Sequence, residues 1–260
     1  MAGMVSPVRA EALRLTTDDD VSICARHLPR AIDQAIVVAH GFSGHCHSQR
    51  ARAIAALLHA SSGVISIDFR GHGHSGGYST VGDLEVYDIE AAVAFARSRG
   101  YTKVAVAGFS MGAAVAIRHA ALIGEVSAVA AISGPAHWYY RGTSPMRWLH
   151  RAIELKTGRI VARCGLRTRI SGHGWNPPPL PPWQVSGKIA PTPLLVVHGT
   201  ADRFFPLRHA HAIHDAAGDP RALWIEPGMG HAESAMTPDL IKRIGRWLNG
   251  PETAGVPPTS

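Results

Sequence analysis

The stretch KVAVAGFSMGAAVAIRHAAL, residues 103–122, decides the fold of this 260-residue chain. Its first half is a run of valine and alanine typical of a strand covered on both faces, and its second half reads as a helix. A short turn joins the two halves and carries the pattern G-x-S-x-G on Gly108, Ser110 and Gly112. Because glycines flank the serine, the strand and the helix can approach closely, which predicts a tight elbow that exposes the Ser110 hydroxyl.

Strands and helices alternate on both sides of this elbow. Short runs rich in β-branched and apolar residues occur at 35–42, 63–70, 103–110, 126–133, 193–200 and 222–228. Helix-like stretches separate or follow them at 48–60, 81–100, 111–124, 206–218 and 237–250. Before them, EALRLTT and VSICARHL flank the turn DDD and alternate as the two strands of an antiparallel hairpin do. We therefore predict an α/β fold with a doubly wound, mostly parallel sheet and an N-terminal β-hairpin.

One interval, residues 135–189, interrupts the alternation. It contains no clear strand, a helix start at Ser144-Pro145 and the proline-rich stretch NPPPLPPW. We predict that it is a helical lid inserted into a core formed by residues 1–134 and 190–249, with a flexible tail at 250–260. Its aromatic residues are Trp138, Tyr139, Tyr140, Trp148, Trp175 and Trp183. We expect them to pack over the serine and form an apolar acyl or aromatic pocket, with Trp138, Tyr139 and Trp148 binding the substrate.

The same interval is strongly basic. Between Gly134 and Ala190 there are nine lysines and arginines and a single acidic residue, whereas the whole chain has a net charge of +7. Three interpretations stay open: the arginines solvate the segment, they attract an anionic substrate, or they attract a membrane surface. Since no nucleic-acid recognition module is visible, we expect no nucleic-acid partner.

Composition and cysteine content indicate the class of protein. With 46% hydrophobic residues and no apolar run near the roughly 18 residues needed to cross a bilayer, the chain is predicted to be soluble and globular. The N-terminus lacks the basic start and apolar region of a signal peptide, so we expect a cytoplasmic location. For the oligomeric state, we expect a monomer or a homodimer. Cys24, Cys46 and Cys164 are odd in number and widely spaced, which favours structural thiols in a reducing compartment.

The elbow serine has matching partners further along the chain. A serine hydroxyl is a weak nucleophile and needs a base, which a carboxylate in turn orients. Asp202 follows a strand in LLVVHGTADRFFP, and His231 follows the next strand in LWIEPGMGHAE. Because the C-terminal ends of parallel strands converge on one edge of the sheet, we predict a triad of Ser110, Asp202 and His231. Candidates that fit the order or the loop position less well are His198, Asp219 and Glu226.

A serine acyl transfer also needs donors for the oxyanion. These are typically the N–H of the residue after the nucleophile and one N–H from the loop after an earlier strand. Met111 supplies the first, and Phe42, which follows His40-Gly41 in AIVVAHGFSG, is the predicted second donor.

The motifs HGFSG, DFRGHGHSGG, GFSMG, HGTADRFFP and GMGHAE, in this order, resemble the α/β-hydrolase superfamily across essentially the whole core. They are most similar to its serine esterases, lipases and acyl-peptidase-like members. The resemblance implies Ser110 as nucleophile, Asp202 as acid, His231 as base and Phe42 and Met111 as oxyanion donors. It also implies cleavage of a small-molecule carboxylic ester through an acyl-enzyme.

Several alternatives within and beyond this superfamily are distinguished less sharply. An aspartate nucleophile is typical of haloalkane dehalogenases and epoxide hydrolases, so Ser110 disfavours both. A carbon–carbon bond hydrolase, a thioesterase, an acyltransferase and a ligand-binding receptor of the same fold stay open, because fold alone does not confer activity.

The stretch GHGHSGG contains Gly71, Gly73 and Gly76 in the dinucleotide-binding pattern G-x-G-x-x-G. A nucleotide site would need a helix that opens within the motif and an acidic residue about twenty positions later, at the end of the next strand. Instead, residues 78–80 prolong the loop. We therefore predict a tight turn beside the active site.

The histidine-rich loops are a further candidate for ligand binding. His45, Cys46 and His47, with His72 and His74 nearby in the fold, include residue types that bind zinc. No C-x-x-C or H-E-x-x-H spacing accompanies them, and a serine triad needs no metal. The sequence therefore predicts hydrogen-bonded or solvated loop histidines, no metal and no cofactor.

Overall fold

The predicted strands form one eight-stranded sheet in the computed structural model, which describes residues 10–250. The strands are β1 (Glu11–Thr16), β2 (Ser22–Leu28), β3 (Gln34–Ala39), β4 (Gly63–Ile67), β5 (Lys103–Phe109), β6 (Ala128–Ile132), β7 (Leu194–Gly199) and β8 (Arg221–Glu226). Their order across the sheet is β1-β2-β4-β3-β5-β6-β7-β8. β1 and β2 form the predicted hairpin, β2 is antiparallel to β4, and all other neighbours are parallel. Apart from Gly250, the predicted tail lies outside the described residues.

Helices cover both faces of the sheet, as expected for a doubly wound fold. They are α1 (Gln49–Leu58), α2 (Glu85–Ser98), α3 (Met111–Leu122), α4 (Ser144–Glu154), α5 (Lys156–Gly165), α6 (Pro182–Val185), α7 (Arg208–Ala216) and α8 (Pro238–Asn249). Alternate side chains of β3 enter different cores: Val37 packs with α2 and α3, and Ile36 packs with α1 and α8. Within residues 10–250, none of the helices is long and apolar enough to cross a bilayer.

The segment between β6 and β7 contains α4, α5 and α6, and α4 begins at the predicted Ser144. The sequence does not predict α5. The helix contains Gly158 and Gly165, and glycine is a poor helix former. The stretch after α5 is hydrogen-bonded to the glycine-rich turn and to the loop that follows it. The Arg169 N–H donates to Gly71 O at 2.7 Å, and the Ser79 N–H donates to Arg169 O at 2.7 Å. The segment is thereby tied to the core on the sheet's C-terminal edge.

The glycine-rich turn is a structural turn that contacts the inserted segment. Gly71 and Gly73 have positive φ angles of 74° and 50°, which glycine adopts at little cost. A Cβ at Gly71 would also collide with the carbonyl of Arg169 and the amide of Ser79. The following residues continue as loop until α2, so no helix opens within this motif. The packing of His72 against Phe42, with ring centroids 5.7 Å apart, connects this turn to the predicted oxyanion loop.

A buried arginine holds the N-terminal hairpin and α2 together. The Arg70 guanidinium is 3% exposed and donates to Asp88 at 2.9 Å and to Asp19 at 2.6 and 2.8 Å. The Arg70 backbone N–H also donates to Asp88 at 2.7 Å, and the Asp88 side chain is fully buried. Burial of this cation is tolerated because its donors are paired with two carboxylates.

Replacing Asp88 with alanine should therefore destabilise the fold strongly. The change removes one of the two carboxylates that pair with the buried guanidinium and leaves the buried Arg70 N–H without its acceptor. We therefore expect the free energy of unfolding to fall by about 3 kcal/mol. Urea denaturation of Asp88→Ala measures this loss. The control Asp18→Ala changes an exposed aspartate of the β1–β2 turn and should stay within about 0.5 kcal/mol of the wild type. Equal stability of the two variants would contradict the assigned role of Asp88.

Candidate active site

Ser110 lies on a strained elbow between β5 and α3. Its backbone has φ 50° and ψ −114°, and its N–H donates to Ile132 O at 2.8 Å. A Cβ at Gly108 would collide with the carbonyl of Gly112, and a Cβ at Gly112 would collide with the carbonyls at the end of β3. Both glycines are thus required for the close approach that the sequence predicted. The elbow holds the Ser110 hydroxyl above the C-terminal edge of the sheet.

The structure brings the three residues of the predicted triad together. His231 Nε2 lies 2.9 Å from Ser110 Oγ, and His231 Nδ1 lies 2.8 Å from Asp202 Oδ2. Both distances are within hydrogen-bond reach. Asp202 follows β7 and His231 follows β8, so neighbouring parallel strands supply the two partners at one edge. Phe204 stacks on the His231 ring at a centroid distance of 4.4 Å and restricts its orientation.

Asp202 is held as a carboxylate. Burial by itself raises the pKa of Asp202, but the hydrogen bond and charge of His231 and the N–H groups of Phe205 and Phe204 outweigh it, so the pKa lies below its usual value. The two N–H groups donate to Oδ1 at 3.0 and 2.8 Å, which leaves Oδ2 for His231. An ionised Asp202 orients the imidazole and stabilises its protonated form.

The weaker candidates have other contacts. His198 is fully buried, its Nε2 lies 2.8 Å from the carbonyl of Phe205, and burial lowers its pKa. His198 Nε2 also lies 3.5 Å from Asp202 Oδ2. Among residues 10–250, no hydrogen bond joins His198 to Ser110. Glu226 accepts from Arg243 at 3.0 Å, and Asp219 pairs with Arg221 on the surface at 3.6 Å.

The residues that carry the two predicted oxyanion donors line the same cavity as Ser110. Phe42, Ser110 and Met111 all contribute to its lining. Among residues 10–250, neither the Phe42 N–H nor the Met111 N–H donates to a protein acceptor. Two unpaired amides beside a serine hydroxyl are what stabilisation of a developing oxyanion requires.

Glu233 supports the loop that carries Phe42, a role that no sequence motif predicts. Its carboxylate accepts the Gly41 N–H at 2.6 Å. A Cβ placed on Gly41 would lie 3.2 Å from Ser110 Cβ and 3.3 Å from Glu233 Oε2, so residue 41 fits between them. Burial raises the pKa of Glu233 above its usual value, and the Gly41 hydrogen bond offsets this only in part. Its position two residues after His231 is the only sequence signal for it.

Two cavities flank the Ser110–His231 pair. An apolar cavity of about 80 Å³ lies next to Ser110, and it is lined by residues of the core and of the inserted segment. Trp138 and Tyr139 line it as predicted, together with Tyr140, Met146 and Trp175. A polar cavity of about 470 Å³ lies on the other side, where His231, Arg50 and Glu233 contribute to its walls.

Trp148 does not reach the apolar cavity. The residue is 71% exposed, and the Arg151 guanidinium lies 5.7 Å from the centre of its ring. The cavity instead receives Met146, Leu149 and Ile153 from α4. These residues are spaced by three and four positions and form one face of the helix, whereas Trp148 lies off that face.

Comparisons with known proteins agree with this fold. The sequence profile of the family described as "serine aminopeptidase, S33" matches residues 30–175. The esterase Pf2001 of Pyrococcus furiosus superposes with a TM-score of 0.74 at 22% identity, covering 93% of this chain and 92% of that one. Est1E of Butyrivibrio proteoclasticus, solved with ferulic acid bound, gives a TM-score of 0.63 at 19% identity, covering 90% of this chain and 96% of that one.

A third similar structure is XC6422 of Xanthomonas campestris, described as an α/β serine hydrolase without a lid. It gives a TM-score of 0.61 at 20% identity over 94% of this chain and 93% of that one. No curated protein matches the chain in sequence. At these identities the three likenesses establish a shared fold.

The raised pKa of Glu233 predicts a pH-dependent stability difference between the wild type and Glu233→Gln. Glutamine keeps an oxygen that accepts the Gly41 N–H but carries no charge. Near pH 4 the unfolded-state carboxyl, with a pKa of about 4.3, is largely protonated. As the pH rises through the higher folded-state pKa, the wild type alone loses stability because it must bury a charge.

Urea midpoints measured between pH 4 and about pH 8 should therefore shift increasingly in favour of Glu233→Gln. Glu125→Gln, which alters an exposed glutamate paired with Arg97, should show no such gain. A difference that stays constant with pH, or that favours the wild type, would show that Glu233 is not a destabilised buried carboxylate.

Proposed function

The chain belongs to the serine aminopeptidase S33 family of α/β-hydrolases, and from this membership and the site geometry we propose that it cleaves a small carboxylic ester through an acyl-enzyme on Ser110. One observation carries the proposal. Continuous hydrogen bonds run from Asp202 through His231 to a serine hydroxyl that faces an apolar cavity. This arrangement suits acyl transfer, because the base, its orienting acid and the nucleophile are already within contact distance.

In each half of the proposed reaction His231 acts first as a base and then as an acid. Ser110 Oγ attacks the ester carbonyl as its proton passes to His231 Nε2, and the Phe42 and Met111 N–H groups bind the oxyanion. His231 then donates that proton to the leaving alcohol, and the acyl group remains on Ser110. His231 then deprotonates a water that attacks the acyl carbonyl, and it passes this proton to Ser110 Oγ as the acid leaves. Each oxyanion donor contributes about 10² to 10³ in kcat by analogy with other serine hydrolases.

The lining of the apolar cavity supports an uncharged acyl group. Its lining residues include no Asp or Glu within the described part of the chain, so it offers no counter-ion for an ammonium group such as the free amino terminus of a peptide. Its volume of about 80 Å³ is smaller than the roughly 150 Å³ of an engineered apolar cavity that binds benzene. We therefore assign it to a short acyl group.

The inserted segment acts as a lid over this acyl group. Beyond the apolar cavity lies a second one of about 300 Å³, and both are lined by Val81, Tyr139, His150, Ile153 and Trp175. Tyr139 and Trp175 contact each other edge to face at 5.3 Å, so they form part of the boundary between the two cavities. The larger cavity is where a longer acyl chain extends once this boundary opens.

Replacing Ser110 should abolish ester turnover without loss of the fold. Ser110→Ala removes the nucleophile, and we expect kcat/KM for a short p-nitrophenyl ester to fall by about 10⁶. A fluorophosphonate probe should label the wild type and the control Ser98→Ala, whose serine is exposed on α2, but not Ser110→Ala. Wild-type turnover in a folded Ser110→Ala variant would overturn the assignment. If the wild type cleaves thioesters or carbon–carbon bonds but no esters, that bond type would replace the ester as the proposed scissile bond.

Opening the boundary between the two cavities should change the preferred acyl length. Tyr139→Ala removes a ring that lines both, so kcat/KM should rise for octanoyl relative to acetyl esters by about tenfold, or about 1.4 kcal/mol in relative barrier height. The matched control is Trp148→Ala, which removes an exposed aromatic ring of the same segment and should keep the wild-type profile. If both variants keep the wild-type ratio, the acyl group does not occupy this cavity.

A further inference from the structure

A second cluster of reactive side chains lies outside the triad. Cys24 comes from β2, Cys46 and His47 from the loop after β3, and His74 from the loop after β4. The ligand atoms of Cys24, Cys46 and His47 all lie within 4.8 Å of one another. Cys24 Sγ is 3.7 Å from His47 Nε2. The ligand atoms of Cys24, Asp68 and His74 likewise lie within 4.8 Å of one another, so Cys24 is common to both groups. Three separate parts of the sequence therefore place two thiols, two imidazoles and a carboxylate around Cys24 Sγ.

The cluster is buried on one side and open on the other. Cys24 and Cys46 are 7% and 1% exposed, and both are free thiols. The His47 ring packs against the His74 ring with centroids 5.1 Å apart, and the His74 side chain is 49% exposed. An ion can reach the thiols from solvent past the two imidazoles.

Asp68 is hydrogen-bonded to the two loops that carry Cys46 and His74. Its carboxylate is fully buried and accepts the Cys46 N–H at 2.5 Å and the His74 N–H at 2.9 Å. The same carboxylate lies 3.7 Å from His74 Nδ1. A Cβ at Gly73 would collide with it, so the chain passes close around the carboxylate. Such a carboxylate orients the histidine and the loop of a metal site.

We propose that Cys24, Cys46, His47 and His74 bind one Zn²⁺ ion with a structural role. Two thiolates and two imidazoles are a frequent ligand set of structural zinc, whereas Ca²⁺ and Mg²⁺ prefer oxygen ligands. With Zn–S of about 2.3 Å and Zn–N of about 2.0 Å, tetrahedral geometry places sulfur and nitrogen about 3.5 Å apart. The observed 3.7 Å between Cys24 and His47 agrees with that spacing.

This ligand set differs from the one considered from sequence. His72 is fully buried and packs against His40, with ring centroids 5.1 Å apart, and His45 lines the polar cavity beside His231. Neither belongs to the thiol cluster. Cys24 lies 22 positions before Cys46, so no short metal-binding motif marks the site. The pairing of β2 with β4 brings Cys24 to these loops.

The ion would fix the loop that carries Phe42. Cys46 and His47 lie four and five residues after Phe42 in the connection between β3 and α1. Ligands from β2 and from the loop after β4 would anchor that connection at a second point, in addition to the Gly41–Glu233 hydrogen bond. This role is independent of the bond that the triad cleaves.

Cobalt substitution tests the site directly. Metal-free, reduced full-length protein is titrated with Co²⁺ and then with Zn²⁺. We expect one Co²⁺ per chain with thiolate-to-cobalt charge-transfer absorption in the near ultraviolet, which histidines alone do not give, and its loss as Zn²⁺ displaces it. Zn²⁺ at a hundredfold excess over its Kd should raise the Tm by about 5 °C.

Ligand variants complete the test. Cys24→Ser and Cys46→Ser should lose the charge-transfer band, and His47→Gln and His74→Gln should weaken Co²⁺ binding at least tenfold. Cys164→Ser, which removes the exposed cysteine of α5, should bind as the wild type does. If the serine variants do not fold, the histidine variants decide. Absence of the band in reduced wild type, its persistence in all four variants, or a Cys24–Cys46 disulfide that resists mild reduction would overturn the proposal.

Discussion

The close approach of α3 to the end of β3 is the contact on which the candidate active site depends. Gly112 lies so near the carbonyls of Ala39 and His40 that a single methyl group would collide with them. The start of α3 is therefore fixed over the sheet, and Ser110 has to take a backbone conformation with positive φ. The same contact places the loop after β3 against Ser110. One packing constraint thus sets both the serine and an amide that faces the same cavity.

The positions of the strand ends made the candidate triad predictable. The residues that hold its loops in place were not predictable from the sequence. Asp202 and His231 each follow a strongly apolar run, so their meeting follows from parallel topology. The Gly41–Glu233 hydrogen bond joins residues 192 positions apart, and no periodic pattern records such a pair. Cys24 was equally hidden, because its neighbours become apparent only when β2 is known to pair with β4.

Trp148 shows a different limit of sequence interpretation. Aromatic content alone placed it in the pocket, but helical periodicity separates it from Met146, Leu149 and Ile153, which line the cavity. The spacing of the apolar residues in α4 identifies the helix face that lines the cavity. Residue type alone selects the exposed Trp148 instead.

The basic charge of the inserted segment is partly used within the fold. The Arg169 guanidinium donates to the carbonyls of Ser75 and Gly77 in the glycine-rich turn, and Arg159 donates to the carbonyls of Ile153 and Glu154 at the end of α4. Arginine is suited to this task because its fork satisfies several carbonyls at once and compensates the helix dipole. The exposed cations of α4, α5 and the turn after α5 are Arg147, Arg151, Lys156, Arg163 and Arg167. Charge that remains available to an anion therefore lies along α4, α5 and the turn after α5.

The two cavities beside the triad differ in the way that the proposed reaction requires. Ser110 lines the apolar one and His231 lines the polar one, so a scissile bond at Ser110 would have its acyl side among aromatic rings. Its leaving oxygen would then lie on the side of His231, from which the proton must come. Arg50 and Glu233 line that side, and burial of an uncharged alcohol there is favoured by hydrogen bonding more than by apolar contact. In the proposed reaction, this asymmetry would give an ester one productive orientation.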